Sequence, residues 1–262
     1  MQKLKAQPHI CLASVPPVVI AVGDPERAAK LSSLCGYQKE LKFNREYRSF
    51  ECAQTTESDP QFLVISHGVG SAGASICFEE LIKAGAKVII RAGTCGGMQT
   101  DMSRGEIVIA TAAVREDGAT RLMIPTEFPA VADFDLVGKI EKEVAARLSE
   151  EKEASFSYRK GIVLTSDLFY PSLKGTTWEM YSKAGVVAVE MEAAALFVIA
   201  AVRKVRAAAL FVADGNVLNW DSDYDPHGDA VAKAKETMLQ AVVRLASQLA
   251  EKETKWVGEQ ET

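Results

Sequence analysis

Histidine and cysteine are scarce in this chain and nowhere clustered: three histidines and five cysteines in 262 residues, with no C-x-x-C and no H-E-x-x-H. The ligand spacing of a zinc site is therefore missing, and no metal is expected. The odd cysteine count (Cys11, Cys35, Cys52, Cys77, Cys95) suits reduced thiols better than a disulfide framework and points to a cytoplasmic protein. Long apolar runs are absent as well; none reaches the roughly 18 to 20 residues of a membrane span. The apolar stretch behind Lys3 and Lys5 is interrupted by Pro16-Pro17, which argues against a signal peptide. Positive charge is short, with 30 Lys and Arg against 35 Asp and Glu, a net charge of -5. No basic field is available for nucleic acid, so any phosphate must be held locally.

What is present describes a soluble globular chain, 48% hydrophobic and 25% charged, with a mean hydropathy of +0.01. Its length fits one domain over 1–262, with a polar tail from about 252; no internal repeat or linker interrupts it. Short β-branched runs at 18–22, 62–65, 87–90, 106–110, 161–164, 186–189 and 208–213 read as strands, and 47–54 as one more. Helical patterns fill 26–34, 72–84, 133–152, 191–204 and 229–251 between them. Most strand runs are apolar at consecutive positions, the mark of a mainly parallel sheet covered by helices on both faces.

The ends of these runs carry the chemistry. They stop at Gly23-Asp24, Ser66-His67, Arg91, Thr165-Ser166-Asp167, Glu190 and Asp214. Ligands of open parallel sheets bind at the carboxyl ends of strands, so these groups converge on one crevice if the strands are parallel. Each alone is also an ordinary cap or turn residue. The segment Gly68-Val69-Gly70-Ser71-Ala72-Gly73 matches a dinucleotide fingerprint, but no acidic residue follows between Lys83 and Cys95, where a ribose partner belongs. A cofactor carrying a 2′-phosphate on Arg91 keeps that reading open; close backbone packing around a ligand is the plainer one.

Arg27, on the first turn after Gly23-Asp24-Pro25, and Arg91, opening the turn Arg91–Gly97 with Thr94, together suit an oxyanion. A buried carboxylate such as Glu79 or Glu80 is the structural alternative for an arginine at a strand end. Glu190-Met191-Glu192 leads from a strand into a helix, where carboxylates either cap the helix or accept from vicinal hydroxyls. Asp214, if enclosed in an apolar crevice, would hold a proton near neutral pH and act as a general acid. Asp221–Asp225 starts like a calcium loop, but Pro226 stands where glycine is needed, so it reads as a mobile cover with Trp220 at its root.

Taken together, GDPER, NREYRSFE, SHGVGSAG, RAGTCGG, AAVREDG, TSDLFYP, VVAVEMEAAA and VADG resemble the hexameric purine nucleoside/uridine phosphorylase family, most closely its protozoan purine nucleoside phosphorylases, over nearly the whole chain. The resemblance implies a three-layer α/β/α sandwich with a central mixed, largely parallel sheet. It implies phosphorolysis of purine nucleosides, inosine and guanosine favoured, to base and ribose 1-phosphate in purine salvage. Phosphate would be a co-substrate, with no metal or organic cofactor. By the same resemblance Gly23, Arg27, Arg91 and Thr94 bind phosphate with Arg45 from a neighbouring subunit; Glu190, Met191 and Glu192 hold the ribose with the neighbour's His9. Val69, Phe169 and Trp220 line the base pocket and Asp214 protonates the leaving purine. The assembly implied is a homohexamer, a trimer of dimers with shared sites. Uridine phosphorolysis, a hydrolytic nucleosidase of the same fold, a noncatalytic nucleoside sensor and an NADP-dependent oxidoreductase are the rivals.

Overall fold

A computed structural model of the chain describes residues 5–150, 157–219 and 223–260. Strand β1 (Val18–Val22), an unbroken apolar run, is buried at every position. It lies between β4 (Phe62–Ser66) and β5 (Val88–Gly97), both parallel to it, and β5 is parallel in turn to β10 (Arg206–Asn216). Consecutive apolar side chains fit this centre because helices cover both faces. One layer is α1 (Pro25–Ser32), α4 (Phe134–Glu150) and α7 (Asp229–Gln260); the other is α2 (Ser71–Lys83), α3 (Gly118–Met123) and α6 (Ala193–Arg203). The Arg203 guanidinium clamps Glu79 between α6 and α2 at 2.9 to 3.0 Å. Gln248 and Arg244 of α7 meet Glu143 of α4 at 2.9 and 3.4 Å. The chain is thus a three-layer α/β/α sandwich around a mixed sheet.

Register explains the convergence of strand ends. Ala21 stands beside Ile65 and Arg91, and Arg91 beside Ala209, so the residues that follow β1 and β4 emerge at the level of Arg91. Two strands run on past that level, which corrects the reading of Arg91–Gly97 as a turn and of Asp214 as a strand end. β5 continues to Gly97 and β10 to Asn216, still paired, with one shift between Ala213 and Gly215. Asp214 is the residue skipped at this shift, and a bulge of this kind re-aims the side chain it carries. The glycines of β5 serve close approach instead of a turn. A Cβ on Gly93 would collide with the Arg91 guanidinium and lie 3.1 Å from Phe211, and one on Gly96 would lie 2.5 Å from Val217.

Beyond its centre the sheet closes on itself. β10 also pairs antiparallel with β6 (Ile107–Glu116), β6 runs parallel to β8 (Tyr158–Ser166) and β8 to β9 (Ala188–Glu190), and β9 returns antiparallel to β5. On the other flank β3 (Tyr47–Ala53) pairs with β4, and the sheet ends at β2 (Tyr37–Asn44). Sequence patterning does not reveal β2, whose Lys, Glu and Gln side chains are mostly exposed; charge of this kind keeps an edge strand from pairing with another chain. Two short helices, α3 and α5 (Trp178–Lys183), and the two-residue β7 (Ala130–Val131) are likewise too brief for a periodic signal. α7 extends to Gln260. Among the described residues no helix is long and apolar enough to cross a membrane.

Candidate active site

At the carboxyl ends of the central strands lies a cavity of about 630 Å3. Gly23 and Arg27 reach it from the start of α1, Arg91 and Thr94 from β5, Val69 from the turn before α2, and Phe169 from the segment after β8. Glu190, Met191 and Glu192 enter between β9 and α6, and Asp214 from the bulge of β10. One chain therefore gathers most of the residues singled out in the sequence.

Glu190 and Glu192 owe their positions to helix N-termini. Glu190 Oε2 accepts from the amides of Glu192 and Ala193 at 2.8 and 2.9 Å, and its Oε1 accepts from Thr165 Oγ1 at 2.5 Å. Free amides at the start of α6 are thereby satisfied by a carboxylate, which the helix dipole favours. Glu192 Oε1 accepts from the Gly70 amide at 2.6 Å, and Ser71 Oγ donates to the Met191 carbonyl at 2.8 Å. Gly68 and Gly70 adopt φ of 76° and 90°, a turn that suits glycine. Here the glycine-rich turn is a mount for Met191-Glu192; the amide that a dinucleotide phosphate would take is already engaged by a side chain, which removes support for the oxidoreductase reading.

Arg91 is 4% exposed and pairs with Glu192, with Glu190 Oε2 3.6 Å from the same Nη2. The partners are thus Glu190 and Glu192, whereas Glu79 binds Arg203 and Glu80 binds the His9 segment. Burial pushes the Glu190 carboxyl up; Arg91 opposes the shift. For Glu192 burial also raises, but Arg91, His67 and the Gly70 amide outweigh it and hold the carboxyl below its ordinary value. Arg91 Nε and Nη1 are buried with no protein acceptor. The guanidinium lies over the Phe211 ring at 4.9 Å to the centroid, so its position is set by protein on that side and by the two glutamates on the other. Arg27 is depressed by its own burial and by Arg91, with Asp24 and Asp214 opposing, as expected of two guanidinium groups beside one cavity.

Asp214 differs from the other carboxylates. Burial raises it from an ordinary 3.8 to about 6, tempered by Lys235, a hydrogen bond with the Thr94 side chain, and Arg27. A carboxyl at this value exchanges a proton near neutral pH.

Several polar groups at strand ends also serve local structure. Asp24 caps α1 by accepting from the Glu26 amide at 2.9 Å, and Asp167 accepts from the Gly118 amide at 2.7 Å. His67 is fully buried, donates from Nδ1 to the Gly68 carbonyl at 2.8 Å, and is pushed down to about 4 by burial and Arg91. Arg115 of the AAVREDG motif donates to four carbonyls between Thr120 and Phe128 and organises that loop.

His9 and Arg45 do not line the cavity of their own chain. The His9 ring lies 2.6 Å from Glu80 Oε1, and the amides of His9 and Ile10 donate to Glu80 Oε2 at 3.0 and 2.9 Å. Arg45 is exposed in the turn between β2 and β3, at φ 54°. Trp220 lies outside the described residues, as do residues 221–222 of the segment read as a cover. Among the described residues, Trp178 at the start of α5 lines the cavity, and Glu46 and Cys95 line it too. Nothing in the local pattern of Trp178 distinguishes it from a core residue; it becomes a wall because β8, β9 and β5 close the ring beside it.

Residues 17–251 match the family described as the Phosphorylase superfamily, and the chain belongs to it. Among curated relatives, the purine nucleoside phosphorylase of Plasmodium vivax is 46% identical over 94% of this chain and 98% of its own length. A uridine phosphorylase of Treponema pallidum is 35% identical over 76% of this chain and 77% of its own. The crystal structure of purine nucleoside phosphorylase from Toxoplasma gondii in complex with immucillin-H superposes with a TM-score of 0.85 at 35% identity, covering 96% of this chain and 99% of that one.

Proposed function

We propose that this chain is a purine nucleoside phosphorylase, a pentosyltransferase that cleaves purine nucleosides reversibly with inorganic phosphate to base and ribose 1-phosphate. The observation that carries the reading is the convergence, on one cavity, of the arginines Arg27 and Arg91 with an aspartate raised to about 6. Near-full-length similarity to purine nucleoside phosphorylases supports it.

In this reading Arg91, Arg27, Thr94 and the Gly23 amide hold phosphate, which is already ionised and needs no general base. Glu192 and Met191 hold the ribose, while Glu190, whose oxygens accept from amides and Thr165, fixes the start of α6 behind them. As the bond from the anomeric carbon to the purine breaks, its electron pair leaves with the base, and Asp214 supplies the proton that neutralises it. Positive charge grows on the sugar and is stabilised by the phosphate held in place by the arginines, whose oxygen then bonds the anomeric carbon. Val69 and Phe169 wall the base. The reaction calls on no metal or organic cofactor.

His9 and Arg45, away from their own cavity, suit a homohexamer in which each serves a neighbour's site. Five free cysteines suit a cytoplasmic enzyme of purine salvage. The test is turnover of inosine, guanosine, adenosine and uridine with and without phosphate, following base and sugar product. Phosphate-dependent release from a 6-oxopurine nucleoside with stoichiometric ribose 1-phosphate is expected. Free ribose without phosphate would make the protein a nucleosidase, and preference for uridine would move the assignment to uridine phosphorylase.

A further inference from the structure

Residues 223–228 touch both functional walls of the base end. The Asp225 amide donates to the Asp214 carbonyl at 3.0 Å. A Cβ on Gly215 would meet Asp223 O and Tyr224 Cα, each at 2.9 Å, so the backbone of the segment lies directly on β10 beside the acid. The Tyr224 ring meets Phe169 edge-on at 6.1 Å. Whatever fixes this segment therefore fixes the backbone of Asp214 and the aromatic wall relative to each other.

Two cations hold it. Lys235 Nζ of α7 donates to the Pro226 carbonyl at 2.8 Å. Arg104 places Nε 3.4 Å from Asp223 Oδ1 and Nη1 3.1 Å from Asp225 Oδ2. Arg104 is not part of the cavity; it borders a separate cleft of about 450 Å3 together with Asp223 and Asp225. Its footing is firm, because the Gly105 amide donates to the Ala213 carbonyl at 2.8 Å and the Ala213 amide to the Glu106 carbonyl at 2.9 Å. Glu106 is pinned in turn by Arg159 at 2.6 and 3.0 Å. The arginine is mounted on the residue before the acid and grips the segment that packs on the residue after it.

We propose that Arg104 is a positioning residue for nucleoside recognition: through Asp223 and Asp225 it holds residues 223–228 so that Tyr224 and the Asp214 backbone keep one arrangement around the base. The proposal rests on the phosphorylase reading for the identity of the ligand. The three side chains are 31 to 44% exposed, so their ion pairs add little to global stability and weaken with salt. Their effect is confined to local order, which sets nucleoside binding and leaves the phosphate site alone.

The experiment compares wild type with Arg104→Gln, Arg104→Lys, Asp225→Asn and the Arg104→Gln/Asp225→Asn double variant. Inosine binding by calorimetry without phosphate, phosphate binding, Tm and kcat/KM are measured at low and high NaCl. Arg104→Gln is expected to weaken inosine binding and kcat/KM about tenfold, below the hundredfold that a displacement of about 1 Å can cost. Phosphate affinity and Tm stay as in wild type, Arg104→Lys recovers part of the loss, and the double variant is no worse than the worse single one. Salt weakens inosine binding in wild type and not in Arg104→Gln. Inosine affinity within twofold of wild type, additive losses, or a parallel fall in phosphate affinity would each overturn the proposal. A wild type that binds inosine but releases no base with phosphate would overturn the phosphorylase reading, and the binding series would still decide the role of Arg104.

Discussion

At the floor of the cavity every carboxylate oxygen of Glu190 and Glu192 accepts from an amide, a hydroxyl or Arg91, and both residues are buried. At the base end Phe169, Tyr170 and Tyr224 meet edge-on at ring separations of 5.1 and 6.1 Å and stay 41 to 72% exposed. The floor hangs from β5, β9 and the starts of α2 and α6; the aromatic end hangs from the segments after β8 and before α7. Charge placed in advance lowers a barrier only if it does not have to move during reaction, so the floor belongs on regular elements. A wall that admits and releases a flat ring belongs on segments with less packing behind them.

The largest expected effect is at the floor. Arg91→Ala leaves two buried carboxylates without their cation, so it is expected to abolish measurable phosphorolysis and to cost about 3 to 5 kcal/mol of stability. Steady-state rates and denaturant unfolding check both. Gly93→Ala places a methyl group against the Arg91 guanidinium and Phe211. Overpacking of this kind costs about 1 to 3 kcal/mol, and displacing the guanidinium is expected to weaken phosphate binding more than nucleoside binding in calorimetry. At the aromatic end Phe169→Ala is expected to raise nucleoside KM about tenfold, the worth of roughly one aromatic pairing, with phosphate affinity and Tm near wild type. A drop in Tm as large as that of Gly93→Ala would mean that the aromatic end is as tightly built as the floor.

A separate effect, read in stability alone, is that of pH. The folded protein holds the Asp214 proton up to about 6, above the ordinary 3.8, so the native state binds more protons than the unfolded one between those values. Ionised Asp214 therefore costs stability as pH rises through that window, and Asp214→Asn should gain Tm over wild type above about pH 6 and lose that advantage near pH 4. His67, held down to about 4, works in the opposite sense: the unfolded chain takes up its proton first, and stability from this group falls as pH drops from about 6.5 toward 4. Thermal melts of Asp214→Asn and of His67→Gln across that range separate the two.

The central strands and their polar ends were readable because fully buried parallel strands leave consecutive apolar residues, and five of the longer helices have clear amphipathic or apolar patterns. What the pattern could not carry was curvature. Arg91–Gly97 looks like a loop by its glycines, yet those glycines let a guanidinium and Val217 approach a continuous strand. Asp214 looks like a strand end, yet it is a bulge in a strand that goes on to Asn216. Trp178, Glu46, Arg104 and Lys235 owe their roles to ring closure and to the packing of distant segments, and no local spacing encodes either.

The most direct test of the account pairs turnover with phosphate binding in Asp214→Asn. General acid catalysis is worth about 10²- to 10⁴-fold, so kcat on inosine should fall by that factor while phosphate titrates with wild-type affinity. Unchanged turnover would remove Asp214 from the chemistry, and loss of phosphate binding in step with turnover would show that the acid and the arginine site are not the separate parts described.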